Sequence, residues 1–263
     1  MKAWKKAGFK ELDLSSLPNE VLPEAGFELP VSWGMVAKNL VDLGVIDLPK
    51  FEKVVKLDEA QRKILTQGSD EKIKINSQNS QFVVDVLWAL GLGQKSLAYT
   101  EGPMGKEYKK DAANFSSTGG WNLSNGNTMG HYNAHELIGL SEAEQKKVAE
   151  IAKNVYRPCC GNSTWFPDCN HGMAALAAIE LMVKAGVPES EIYKSVLKLN
   201  SFWFGNTYLV IATHFERQGI AWKDVDAKEV LGQKYSSSQG AADITKKVGD
   251  LPFQKSGGGG CGA

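Results

Sequence analysis

No run of about 18 apolar residues occurs anywhere in this chain, which excludes a bilayer-spanning helix on sequence grounds. An excess of charge is missing too. Lys+Arg and Asp+Glu both number 30, so no net field draws nucleic acid or an anionic membrane surface, and neither is an expected partner. Cysteine is scarce, with four in 263 residues, too few for a disulfide scaffold at this size. Several catalytic signatures are absent as well. There is no Gly-x-Ser-x-Gly, no Gly-x4-Gly-Lys-Ser/Thr, and no strand followed by Gly-x-Gly-x2-Gly. Met1 to Glu11 is basic but lacks the apolar core of a signal peptide. The chain as given therefore reads as soluble, either cytoplasmic or a mature extracytoplasmic domain whose leader was removed.

What is present is ordinary globular material, 43% apolar and 23% charged, long enough to bury a large core. Three parts are expected: an irregular N-terminal arm over 1–30, a single helical domain over 31–254, and a flexible Gly-rich tail over 255–263 that carries Cys261. Apolar positions Met35, Val36, Leu40 and Leu43 predict a helix capped by Ser32. Further helices are expected after Asp47 and after Asp58, and through Phe82, Val83, Val86, Leu87 and Leu90, where Gly91 and Gly93 should end the run. Ser141 with Glu144 forms a capping box for a helix over 142–156. A very apolar, alanine-rich helix over 173–185, capped by Asp168 or Asn170, should be central. Pro188 and Asn206 open two more helices, and Gln239 to Val248 a last one. Brief alternation at Ile73 to Ile75 is the only strand signal, and Ser96 to Gly126 is a long connection without periodicity. The predicted fold is mainly α: an irregular or orthogonal bundle of about eight to ten helices with a long loop and at most a minor β element.

Chemistry concentrates between Tyr156 and Gly172, which holds Cys159, Cys160, Cys169 and His171 in a turn-rich connection. Thiolates with imidazole match the donor set of zinc, copper(I) or an iron-containing centre. The adjacent pair poses a difficulty, because neighbouring side chains in regular backbone point apart. Either one of Cys159 and Cys160 is a ligand and the other structural, or both serve a larger cluster. Cys169 stands at a predicted helix start, where free N–H groups and the helix dipole favour a thiolate. Arg157, Trp165, Phe166 and Asp168 frame the loop, the aromatics as shields and Asp168 as a cap or as a partner orienting His171.

His131 and His135 have the spacing of a helical metal clamp, on a helix that Thr128 would cap. Tyr132 stands where a zinc peptidase carries its glutamate, so the pair is kept as candidate ligands and the peptidase reading is set aside. The metal candidates are thus Cys159, Cys160, Cys169, His171, His131 and His135, and the expected partner is a metal ion or a small thiol-reactive ligand. The function expected is binding of a thiophilic metal of the Zn, Cu or Fe type. A rival is a thiol redox or thiol-transfer enzyme in which Cys169 attacks and Cys160 or Cys261 resolves. A third reading is a helical interaction domain closed by a local disulfide such as Cys160 to Cys169.

Overall fold

Hydrophobic side chains recur at helical spacing along most of this chain, and the elements follow them. A computed structural model describes residues 13–251, so Cys261 and the tail over 255–263 lie outside the described residues. The architecture is mainly α, with one two-stranded antiparallel sheet. In chain order the elements are α1 (Leu17–Val21), β1 (Phe27–Gly34), α2 (Val36–Asp42), α3 (Leu48–Val54), α4 (Glu59–Gln67), β2 (Ser69–Ile75) and α5 (Ser80–Gly93). Then come α6 (Glu142–Ala152), α7 (Asn170–Lys184), α8 (Glu189–Trp203), α9 (Gly205–Arg217), α10 (Ala227–Leu231), α11 (Gln233–Ser236) and α12 (Ser238–Val248). Among the described residues no helix is long and apolar enough to cross a membrane.

Several predicted boundaries change. Ser32 caps no helix: it lies in β1, where Leu29, Val31 and Trp33 alternate inward, and β1 pairs with β2 through Phe27 opposite Ile75 and Ser32 opposite Lys72. Pro30 disguised the strand, and it sits where the ladder register is irregular, a place that tolerates a missing N–H. Ile73 and Ile75 therefore do have a partner, contributed by the stretch read as an irregular arm. The second change is at Gly91, which does not stop α5. A Cβ there would fall 2.3 Å from the carbonyl oxygen of Met173, so Gly91 is the point where α5 and α7 touch backbone to backbone.

That contact makes α7 the axis of the molecule. Every residue from Asn170 to Val183 is buried, with Ala174, Ala177 and Ala178 leaving room for close neighbours. The helix starts three residues before the predicted Met173, because its cap is neither Asp168 nor Asn170. Cys169 takes that position with extended backbone, and its Sγ accepts from the Gly172 N–H at 3.4 Å. The α6 capping box is present as read, Ser141 Oγ accepting from the Glu144 N–H, though α6 ends at Ala152 rather than Tyr156. The segment from Ala152 to Cys169 is thus delivered to the N-terminal end of the most deeply buried helix.

Candidate metal centre

The loop after α6 is closed on itself before it reaches α7. Tyr156 and Ser163 form an isolated antiparallel bridge, and the Thr164 N–H donates to the Val155 carbonyl at 2.7 Å. At its tip the Cys160 N–H donates to the Arg157 carbonyl at 3.2 Å, a reverse turn that includes Pro158. The Cys160 carbonyl is tied down by the Ser238 N–H at 2.9 Å. This turn removes the difficulty that regular backbone poses for adjacent cysteines.

Both members of the pair reach Cys169. Cys159 Sγ lies 3.6 Å from Cys169 Sγ and 3.5 Å from Cys160 Sγ, and all three sulfurs fall within 4.8 Å of one another. No sulfur–sulfur bond joins them; Cys159 and Cys160 are half-buried, Cys169 buried. Among the described residues this is the group of three or more such donors that can hold a metal ion.

Beneath the sulfurs lies Arg157, fully buried. Its Nε donates to Cys169 Sγ at 3.0 Å, Nη1 to the Asn162 carbonyl at 3.1 Å, and Nη2 to the Phe166 carbonyl at 3.1 Å and to Asp168 Oδ1 at 2.5 Å. Asp168 is held in turn by Asn162 Nδ2 at 2.7 Å, so it orients the guanidinium rather than His171. The guanidinium lies flat against Gly172, where a Cβ would come within 2.7 Å of Arg157 Cζ. Burial disfavours the charge on Arg157, and Cys169, Cys160, Cys159 and Asp168 together outweigh it, leaving the guanidinium firmly protonated.

The three thiols separate electrostatically. Hydrogen bonds from Cys159 and Cys160, with the charge and Nε–H of Arg157, hold Cys169 well below the ordinary thiol range despite its burial. Its bonds with Cys160 and Cys169, and then burial, raise Cys159; the bond to Cys159 lowers Cys160, but bonding to Cys169 and burial push it up to about 12. Cys159 and Cys160 are thus the sulfurs that hold protons most strongly. A cation replacing those protons meets donors that already converge.

His171 stands in the first turn of α7 but outside the three-sulfur group. Its ring packs against Phe204 at 4.5 Å and edge-on to Trp203 at 5.6 Å, and its buried Nδ1 has no hydrogen-bond partner. Burial lowers its pKa to about 4, so the imidazole is neutral.

The other histidines are placed differently. Thr128–Gly130 is one turn of 3-10 helix, and Asn133 takes a positive φ of 54°, so no helix carries His131 and His135. The predicted cap fails because Thr128 Oγ1 donates to the Trp121 carbonyl at 2.5 Å instead. The rings still meet, with His131 Nδ1 3.1 Å from His135 Nε2, and His131 Nε2 lies 3.0 Å from the Asn125 carbonyl. Neither belongs to the three-sulfur group.

The aromatics connect the long loop to the site. Phe166 stacks on Tyr108 at 5.2 Å and meets Phe115 at 5.4 Å, while the Ser117 N–H donates to the Asp168 carbonyl at 3.2 Å. Neither Asn162 nor Gly172 was given a role in the site from sequence, since a carboxylate clamp and a glycine under a guanidinium leave no local pattern. The chain matches no protein-family model, no curated protein and no solved structure. Fold and site together define a mainly α protein with a three-cysteine cluster that can hold a metal ion.

Proposed function

We propose that the protein binds one thiophilic metal ion, of the zinc, copper(I) or iron type, through Cys159, Cys160 and Cys169. The observation that carries this reading is the mutual distance of the sulfurs. Metal–thiolate bonds of about 2.3 Å place two sulfurs on one tetrahedral ion about 3.8 Å apart. Spacings of 3.6 and 3.5 Å need only a small outward adjustment to match. Such close sulfurs favour a single ion over a cluster that would set each thiolate on its own iron. Arg157 supports the reading by offsetting the negative charge that three thiolates would bring into a buried place. His171, neutral and two residues beyond Cys169, lies outside the three-sulfur group.

The test is metal analysis of untagged protein with free-thiol counts before and after chelation. About one ion per chain, lost in Cys169→Ser and released together with new thiol reactivity on chelation, is the expected outcome. Metal-free protein whose three thiols react with or without chelator overturns it.

One observation favours the second reading, a thiol redox enzyme: the Cys169 thiolate lies 3.6 Å from the Cys159 thiol, within reach of disulfide formation. On that reading the same chain would be isolated without metal and would reduce a small disulfide substrate. The resolving role considered for Cys261 falls outside the described residues.

A further inference from the structure

The donors that converge between the loop and the start of α7 number three, and all are sulfur. Two sides of the triangle they form are short: Cys159 Sγ lies 3.6 Å from Cys169 Sγ and 3.5 Å from Cys160 Sγ, and the third side falls within 4.8 Å. A tetrahedral ion holds two thiolates about 3.8 Å apart, so both short sides fall inside that spacing. A pyramidal centre of similar bond length has narrower angles, because a lone pair takes its fourth direction, and it draws its three sulfurs closer together. The number of donors and the short sides fit such a centre with no fourth ligand.

Charge points the same way. Arg157 is fully buried and ion-paired with Asp168 at 2.5 Å, so the two cancel over the centre as a whole. Three thiolates around a monovalent ion then leave two negative charges, and around a divalent ion one. A trivalent centre leaves none. Unmatched charge is costly beside a buried sulfur such as Cys169, which favours the neutral product. Thiolate donors also select soft acceptors. Soft, trivalent and three-coordinate with a lone pair describes arsenic(III). Cys159 and Cys160 are half-buried, so a small uncharged reagent reaches them from solvent.

We propose that Cys159, Cys160 and Cys169 together capture trivalent arsenic, taken up as uncharged arsenous acid and held by the three sulfurs alone. The inference rests on the convergence of sulfurs that underlies the metal reading above, and it names a metalloid as occupant. Three As–O bonds break and three As–S bonds form, and the three thiol protons leave with the three hydroxyl groups as water. Arsenic stays trivalent and no sulfur is oxidised, so no further reactant is needed.

The reduced full chain, given arsenite and Zn(II) in equal amounts, tests this, with arsenic, zinc and free thiols counted after unbound ions are removed. About one arsenic per chain, the loss of three thiols and a clear excess of arsenic over zinc are the expected result. Cys160→Ser should weaken arsenite binding by about a hundredfold, the loss of one chelating arm. The same variant should still take up phenylarsine oxide, whose arsenic has only two exchangeable positions, through Cys159 and Cys169, which verifies that it is folded. Zinc bound in preference to arsenic overturns the inference and leaves the metal reading standing; arsenite held as tightly by Cys160→Ser as by the parent overturns it as well. Arsenic bound by a chain that takes no metal ion supports the inference and sinks the metal reading alone, and uptake of neither sinks both.

Discussion

Arg157 shows how one side chain organises the centre. Its Nε–H points at Cys169 while Asp168 and two backbone carbonyls hold the other nitrogens, so the positive charge stays beside one particular sulfur. The consequence is measurable in metal-free protein by thiolate absorbance near 240 nm. One thiolate per chain should be present at pH 7 and should protonate only well into the acid range, with Cys159 and Cys160 staying protonated through neutral pH. Because the folded state lowers the Cys169 pKa, its contribution to stability is complete above the ordinary thiol pKa and is lost as pH falls through the folded value. Arg157→Met should move the acid-shifted step toward neutral pH without abolishing it, since the bonds from Cys159 and Cys160 remain; an unchanged titration would show that the guanidinium does not hold the thiolate. The loop itself was legible because cysteine is rare enough for three in 11 residues to stand out. Its convergence was not, because it depends on the Arg157–Cys160 turn and on a buried arginine that sequence shows only as a charged residue.

At the scale of elements, legibility followed how local the cause is. The capping boxes at Asp58 and Ser141 involve residues three apart and were readable or nearly so. β1 was missed because its partner lies some 40 residues on and Pro30 mimics a break. The α5–α7 crossing is the sharpest case, since Gly91 reads locally as a helix stop and is a contact point instead. Gly91→Ala should therefore destabilise the protein by roughly 2 kcal/mol or more, the overpacking against Met173 outweighing the better helix propensity of alanine. Gly93→Ala, whose Cβ would meet the Val45 side chain at 3.3 Å, should cost less. Urea unfolding of both variants decides it, and equal midpoints would contradict the close approach.

At the scale of the whole molecule, Glu180, in the middle of α7, is among the charged residues fully buried in the described part of the chain, and neither of its carboxylate oxygens has a hydrogen-bond partner there. Burial pushes its pKa up to about 8, and that of Asp85 on the facing helix α5 up to about 6. A raised folded-state pKa means the native protein keeps a proton that the unfolded chain releases. Stability is therefore full below the ordinary carboxylate range and declines as pH rises toward 8. Glu180→Gln should remove most of that decline and exceed the parent by roughly a few kcal/mol at pH 9, while differing little at pH 4. Unfolding curves at pH 4, 7 and 9 test it; parallel pH profiles for parent and variant would refute it.

Composition, helical periodicity and the crowding of cysteines into one connection were enough to determine a mainly α protein and the address of its cysteine-bearing loop, because each is a property of short stretches of chain. Tertiary structure alone decided which donors meet. The three sulfurs gather where a reverse turn and the start of α7 abut over a buried guanidinium, while His131 and His135 find each other through a 3-10 turn rather than a helix face. The physical reason is distance. Ligand geometry is set within a few ångströms by backbone turns and by packing partners far away in sequence, and no local pattern carries that information.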